Sequence, residues 1–367
     1  MNAAIDHETL ALLRDSMARY AQDSYPFDKR RRIVGNAPGY SKEAWEEYAN
    51  LGWLAVPLSA DHGGFDGDAR AIGALMEYVG SALALEPIFA SAVVCGRLLS
   101  RFEDPRATEW LGSIAAGEAI FALAHAESAD VASPASLATT YRNGRVSGAK
   151  ALALHGDVAD RLLVTARSER GVVVCAVGPR AKGVAMTKLR LVDERGAASF
   201  TFDDAPAEAL DADRDATASI EDALDDARLA MCSETYGAVH ALNAATNDYL
   251  KTRNQFGRPI GTNQALQHRM VELFILEQEL RAIIAAAHRA HDGSRQARSR
   301  AVSAAAAHAA TVGRIASHEG VHLHGGMGMT SELPVSHYFK RLMVTARLLG
   351  NRDEHLGRFA AASANAT

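Results

Sequence analysis

The stretch Tyr249 to Glu272, YLKTRNQFGRPIGTNQALQHRMVE, sets Arg253 and Gln255 beside a Phe256-Gly257 turn, followed by Pro259 and the start of a new helix. A cation and amides gathered at such a turn suit a phosphate. A second stretch, VHLHGGMGMTSELPVSHYFKRL from Val321 to Leu342, carries His322 and the pair Gly325-Gly326. Without Cβ atoms these glycines either let the backbone approach a ligand closely or supply the positive φ of a helix end. Carboxylates for acid–base work lie in LDDARLAMCSETYG, as Asp225, Asp226 and Glu234. Read from residue types alone, the three segments also fit a plain helical hairpin, a helix C-cap and a solvated helix start.

The chain that must position these groups has 367 residues, 48% of them hydrophobic and 23% charged. At roughly 150 residues per domain this is two to three domains with ample material for a core. A formal charge of −5, with Lys and Arg scattered, leaves no electrostatic footprint for nucleic acid or an anionic membrane. Cys95, Cys175 and Cys232 lie far apart and form no CxxC pair, which argues against a disulfide framework or a metal site and for a cytoplasmic setting. The N-terminal MNAAIDHETLALLRDSM has an acid and a histidine where a signal peptide carries basic residues. Apolar runs such as Gly171–Gly178 are far shorter than the roughly 20 residues of a membrane span.

Three textures follow one another. Over 1–118 apolar residues recur at three and four, as in Trp45, Tyr48, Leu51 and Leu54, which predicts an α-helical domain broken near Pro57, Gly63-Gly64 and Pro105. Over 119–213 short Val-, Leu- and Thr-rich runs such as RLLVTARS and GVVVCAVG alternate with turns such as RNGR. Their spacing leaves no room for crossover helices and predicts an antiparallel sheet or barrel. Over 214–367 the helical pattern returns, with Ser219 as the expected N-cap, and helices are expected at about 220–253, 262–291, 297–323 and 334–349. The fold class is therefore α+β and multi-domain, ending in a four-helix bundle.

The RNQFG hairpin, the HGGMG turn with its following acid, proline and basic helix, and the N-terminal LGWLAVPLSADHGG together resemble the acyl-CoA dehydrogenase family over nearly the whole chain. The HYFKRL stretch is similar to the pimeloyl-CoA dehydrogenase small-subunit type. The resemblance implies FAD and the α,β-desaturation of an acyl-CoA thioester, in which a carboxylate takes the Cα proton as hydride leaves Cβ for flavin N5. It implies an electron-transfer flavoprotein as acceptor and a homo-oligomer, dimer or tetramer, because a neighbouring subunit completes each FAD site. On that mapping Arg253, Gln255, Phe256, Gln264, His322, Gly325 and Gly326 bind FAD across the subunit boundary, while Leu123, Ala124, Ser128, Leu152 and Leu154 face the flavin ring. Asp225 and Arg228, kept from an LDxxR pattern, mark the substrate-facing helix end.

The chain departs from the family on the ring side and at the base. Ala124 stands where the family has Thr, the Ser of the following loop is either displaced to Ser128 or lost, and Leu152 and Leu154 replace an aromatic residue and a Thr. Counting from the two motifs, the two family positions of the catalytic Glu fall on Ala227 and Leu349. Glu234, seven residues after Ala227, is the remaining candidate base; seven residues are about 10 Å of helix rise. Asp225 and Asp226 point about 100° apart and serve less well. A silent subunit that pairs with an active dehydrogenase and completes that partner's FAD site is the alternative to an active enzyme.

Overall fold

The computed structural model describes residues 6–128 and 134–364. By its contacts the chain forms two compact units, one containing Arg32–Ile72 and Leu85–Ala227, the other Glu8–Arg31, Gly73–Ala84 and Arg228 onward. In chain order the helices are α1 (His7–Asp23), α2 (Phe27–Val34), α3 (Lys42–Asn50), α4 (Ala69–Ser81), α5 (Gly96–Leu99) and α6 (Pro105–Ala115), then α7 (Thr217–Thr252), α8 (Gln264–Ala290), α9 (Arg295–His324), α10 (Val335–Thr345) and α11 (Arg352–Ala364). Between α6 and α7 run β1 (Phe121–Ala124), β2 (Thr140–Arg142), β3 (Arg145–Leu154), β4 (Arg161–Ser168), β5 (Gly171–Val177), β6 (Val184–Arg190), β7 (Gly196–Pro206) and β8 (Glu208–Leu210).

In the first unit the short helices pack through aromatic rings, Tyr48 stacking on Trp53 at 5.2 Å between centroids, and Trp45 Nε1 donates to the Gly117 carbonyl at 2.9 Å. Residues Ile88–Cys95 form a π-helical stretch that is buried throughout. Its Ser91 Oγ accepts the Phe121 amide at 3.0 Å, so this stretch sets where β1 begins. The sheet runs β6-β7-β3-β2-β4-β5-β8, with β1 added to β4. It is mixed rather than antiparallel throughout, because β1 and β2 both pair parallel to β4 while the remaining pairs are antiparallel. The RNGR turn behaves as its residues dictate: Asn143 and Gly144 both take positive φ, 48° and 75°, the twist that suits a two-residue hairpin between β2 and β3. β4 and β5 are almost wholly buried, which explains their continuous rather than alternating apolar runs.

In the second unit α4 and α7 cross at backbone contact. A Cβ at Gly80 would collide with the Glu234 carbonyl oxygen, and one at Gly237 with the Glu77 carbonyl oxygen, so the crossing requires glycine on both helices. Beyond α4 the carbonyls of Ser81, Leu83 and Ala84 are satisfied by buried side chains. Tyr338 Oη donates to Ser81 at 2.5 Å, Arg30 Nε to Leu83 at 3.2 Å and Arg341 Nη2 to Ala84 at 2.8 Å.

Two expectations about helix ends are corrected. The cap of α7 is Asp215, whose Oδ1 accepts the Thr217 amide at 3.2 Å, and the helix begins two residues before Ser219. A fifth C-terminal helix, α11, follows the expected four, started by a capping box in which Asn351 Oδ1 accepts the Glu354 amide at 3.1 Å and Glu354 returns a bond to the Asn351 amide at 2.6 Å.

Candidate functional site

The hairpin predicted from RNQFG is a two-stranded ribbon, β9 (Asn254–Gln255) paired antiparallel with β10 (Arg258–Pro259). Its tip is Phe256 at φ 52° and Gly257 at φ 81°. A bulky side chain in the left-handed region is disfavoured, and here the ring is fully exposed, at 102%. An exposed apolar ring held at such a tip is the kind of feature a ligand or a partner covers.

The structure brings hairpin and glycine turn together. Tyr249, one turn before Arg253, stacks on His324 at 4.3 Å, and its hydroxyl donates to the His324 carbonyl at 3.4 Å. Gly325, the next residue, ends α9 at φ 58°, and added Cβ atoms at Gly325 and Gly326 would meet nothing within 4 Å. Arg253, Gln255, Gln264, His322, Gly325 and Gly326 are all exposed, Gln264 opening α8 just after the hairpin. One guanidinium, side-chain amides, an imidazole and open backbone beside glycine form a donor set for a pyrophosphate.

On the sheet, Leu123 and Leu152 are half-buried, Ala124 and Leu154 are buried, and Ser128 is exposed. Residues 129–133, where the Ser-bearing loop of the family maps, lie outside the described residues. His155 N bonds to Gly196 O at 2.9 Å, so by antiparallel alternation the Leu154 amide points to the other edge of β3, the side toward β1. Leu123 and Leu152 thus offer apolar surface and Leu154 a main-chain donor, without the hydroxyl and aromatic side chains of the family.

Sequence reading overlooked a clamp at this place. Glu127 accepts the amides of Ala138 and Thr139, at 2.7 and 2.9 Å, and pairs at 2.8 Å with Lys150, whose side chain is wholly buried. Lys150 Nζ also donates to the His125 carbonyl at 3.1 Å, tying both ends of the loop after β1 to β3. The spacing of Glu127 and Lys150 carries no motif; only the sheet register pairs them. Burial pushes the Glu127 carboxyl up, but Lys150, Thr139 and the two amides outweigh it and hold it down to about 2. Burial also pushes the Lys150 ammonium below its usual value, with Glu127 pulling it back up. Because the Glu127 value is depressed on folding, its stabilisation is complete above the ordinary value of 4.5 and is lost as pH falls through about 2. We expect melting temperatures of the protein and of Glu127→Gln to differ at pH 6 and to converge between about pH 4.5 and 2. A gap independent of pH would show that the clamp is not ionic.

At the α7 end the two LDxxR charges are buried, Asp225 3% exposed and Arg228 5%, which rules out the alternative of a solvated helix start. Arg228 Nε donates to the Leu349 carbonyl at 3.3 Å, so the residue after Ala227 touches the other family position of the base. Ala227 is wholly buried and Leu349 half-buried. Asp226 accepts from Arg97 Nε at 2.9 Å and Arg101 Nη2 at 2.7 Å and is committed to that pairing. Glu234 is wholly buried and bonded to Arg341 Nη1 at 2.9 Å. That pairing ties α7 to α10 and to the end of α4, an arrangement that argues for a scaffold role rather than for proton transfer.

Among the described residues no group of three His, Cys, Asp or Glu could hold a metal ion, and no helix is long and apolar enough to cross a membrane.

The fold and these sites define a flavin-dependent oxidoreductase scaffold, and comparison with known proteins narrows it. Residues 7–118 match the acyl-CoA dehydrogenase N-terminal domain and 217–363 the C-terminal domain. The chain is 30% identical over 333 residues to acyl-CoA dehydrogenase FadE27 of Mycobacterium tuberculosis, covering 87% of each. It is 26% identical to acyl-CoA dehydrogenase IpdE2 of Mycolicibacterium smegmatis, covering 96% of this chain and 98% of that one. A solved Tcur3481-Tcur3483 steroid acyl-CoA dehydrogenase variant superposes with a TM-score of 0.89 at 26% identity, covering 98% of each chain. The chain belongs to the acyl-CoA dehydrogenase family, oxidoreductases acting on the CH–CH bond of acyl-CoA, with FAD as cofactor.

Proposed function

We propose that this protein is an FAD-dependent acyl-CoA dehydrogenase that desaturates a thioester at Cα–Cβ without the family's Glu. The observation that carries this reading is the exposed set of Arg253, Gln255, Phe256, Gln264, His322, Gly325 and Gly326, assembled at one end of α7 and α9. Its guanidinium and amides bind the pyrophosphate and adenosine side of FAD from a neighbouring subunit. FAD, when bound, supplies the hydride acceptor. Leu123 and Leu152 exclude water beside the ring, and the Leu154 amide orients it through the main chain. Asp225 and Arg228 hold the substrate-facing end of α7, Arg228 by its bond to the Leu349 carbonyl.

Assembly draws on a second exposed face, because α8 leaves Val271, Phe274 and Ile275 exposed, at 55%, 60% and 50%. A homotetramer or a heteromer in the cytoplasm, passing electrons to an electron-transfer flavoprotein, completes the proposal. The match to a steroid acyl-CoA dehydrogenase points to a bulky, ring-bearing acyl group.

A second reading rests on the asymmetry between the two halves of the site. The pyrophosphate side keeps its cation and amides, while the ring side has lost its hydroxyl and aromatic groups and the base positions are Ala227 and Leu349. Such a chain serves as a silent subunit, lending Arg253 and the glycine turn to a partner's FAD.

The visible spectrum of the purified protein, before and after anaerobic addition of straight-chain, branched and ring-bearing acyl-CoA thioesters, separates the two. The dehydrogenase reading expects a yellow protein that bleaches with at least one thioester. Colourless protein that takes up no added FAD overturns it in favour of the silent subunit.

A further inference from the structure

The turn of the β9–β10 ribbon fixes which side chains share a face. Phe256 and Gly257 both take positive φ, which makes a two-residue hairpin turn, and the pairs Gln255–Arg258 and Asn254–Pro259 follow from it. The Ile260 amide donates to the Arg253 carbonyl at 2.9 Å, so Arg253 and Ile260 continue the ladder as a third pair. Residues directly opposite one another share a face, and successive residues along a strand alternate. Arg253, Gln255, Arg258 and Ile260 therefore lie on one face, and Asn254 and Pro259 on the other.

The two faces differ in what they bind within the chain. Asn254 Nδ2 turns back and donates to the Thr252 carbonyl at 3.2 Å. On the opposite face Arg253, Gln255 and Arg258 are exposed, and among the described residues none of their side chains meets an acid, a carbonyl or a ring. Both guanidiniums are permanent cations. Arg253 and Arg258 are diagonal neighbours across the ladder, about 7 Å apart at Cβ, and like charges so placed disfavour one another. A diphosphate diester carries two negative charges, and its oxygens match two planar guanidinium forks.

We infer that Arg258 is a second cation of the flavin site, gripping the FAD diphosphate together with Arg253 from one face of the ribbon. This rests on the dehydrogenase reading above, which assigns Arg253 and Gln255 to FAD. Gln255, directly opposite Arg258, donates its side-chain amide beside the two forks. An acyl-CoA also carries a diphosphate; FAD is the occupant because the face that presents Arg258 is the face of Arg253 and Gln255.

The test uses full-length protein freed of flavin, titrated with FAD and followed by the change in flavin fluorescence. The inference expects the dissociation constant to rise about 10- to 150-fold in Arg258→Gln at unchanged melting temperature, and less in Arg258→Lys, which keeps the charge but not the fork. ADP, a diphosphate without the flavin ring, should compete with FAD in the unaltered protein and compete poorly in Arg258→Gln. FAD affinity unchanged in Arg258→Gln but lost in Arg253→Ala overturns the inference and leaves the dehydrogenase reading standing. FAD affinity kept in Arg258→Gln while acyl-CoA affinity of the flavin-loaded protein falls assigns Arg258 to the thioester's diphosphate and likewise overturns it. No uptake of FAD by the unaltered protein overturns both. Should the variants fail to fold, phenylglyoxal labelling of the unaltered protein decides: shielding of Arg258 by FAD supports the assignment, and equal labelling with and without FAD overturns it.

Discussion

Arg253→Ala is expected to release flavin while leaving the chain folded. Arg253 is exposed at the foot of a ribbon, its amide bonded to the Tyr249 carbonyl at 2.8 Å, so removing its side chain takes nothing from the helical core. A charge-assisted bond to a phosphate contributes about 1.5–3 kcal/mol, which corresponds to roughly a 10- to 150-fold weaker flavin affinity. Flavin absorbance per chain after gel filtration should fall, while the melting temperature of flavin-free protein stays the same. Arg253→Lys should lie between, keeping the charge but not the planar fork. Flavin retained at full stoichiometry in Arg253→Ala would remove this residue from the site.

The second large effect is structural. Arg341→Met should destabilise the protein by about 3–5 kcal/mol in equilibrium unfolding, because it strands a buried carboxylate. Glu234 and Arg341 are both wholly buried, and Arg341 Nη2 also satisfies the Ala84 carbonyl at 2.8 Å. A wide gap between Arg341→Met alone and Arg341→Met with Glu234→Leu is expected, since the double variant leaves no unpaired charge behind. Glu234→Gln keeps the shape and should spare substrate-driven flavin bleaching. Bleaching abolished in Glu234→Gln at normal flavin content would instead make Glu234 the base.

How far these sites were legible in the sequence depends on the range of the interactions that build them. Asn143-Gly144 announces its hairpin because positive φ is a property of two adjacent residues. Arg253 and the Phe256-Gly257 tip are equally local, and the resemblance carried by the two motifs ordered them into one site. The helix periodicities of α7, α8 and α9 were visible for the same reason, though the cap at Asp215 and all of α11 were not. Asp215 lies before the periodic run, and α11 is too short and too polar for periodicity to stand out.

The sequence by itself determined the order of helical, sheet and helical segments, the family, the exposed cation and glycine turn, and the absence of a carboxylate at Ala227 and Leu349. The order of segments and the two turns are set by residue type and near spacing, while the family and the two base positions come from the resemblance those motifs carry. Only the tertiary structure decided what the remaining charges do. Glu234 could be counted along its helix, but its partner Arg341 lies 107 residues away on α10 and meets it only in the folded chain. Lys150 and Glu127 are paired by sheet register. Burial and long-range pairing fix protonation and partners, and both depend on which distant segments the fold brings together.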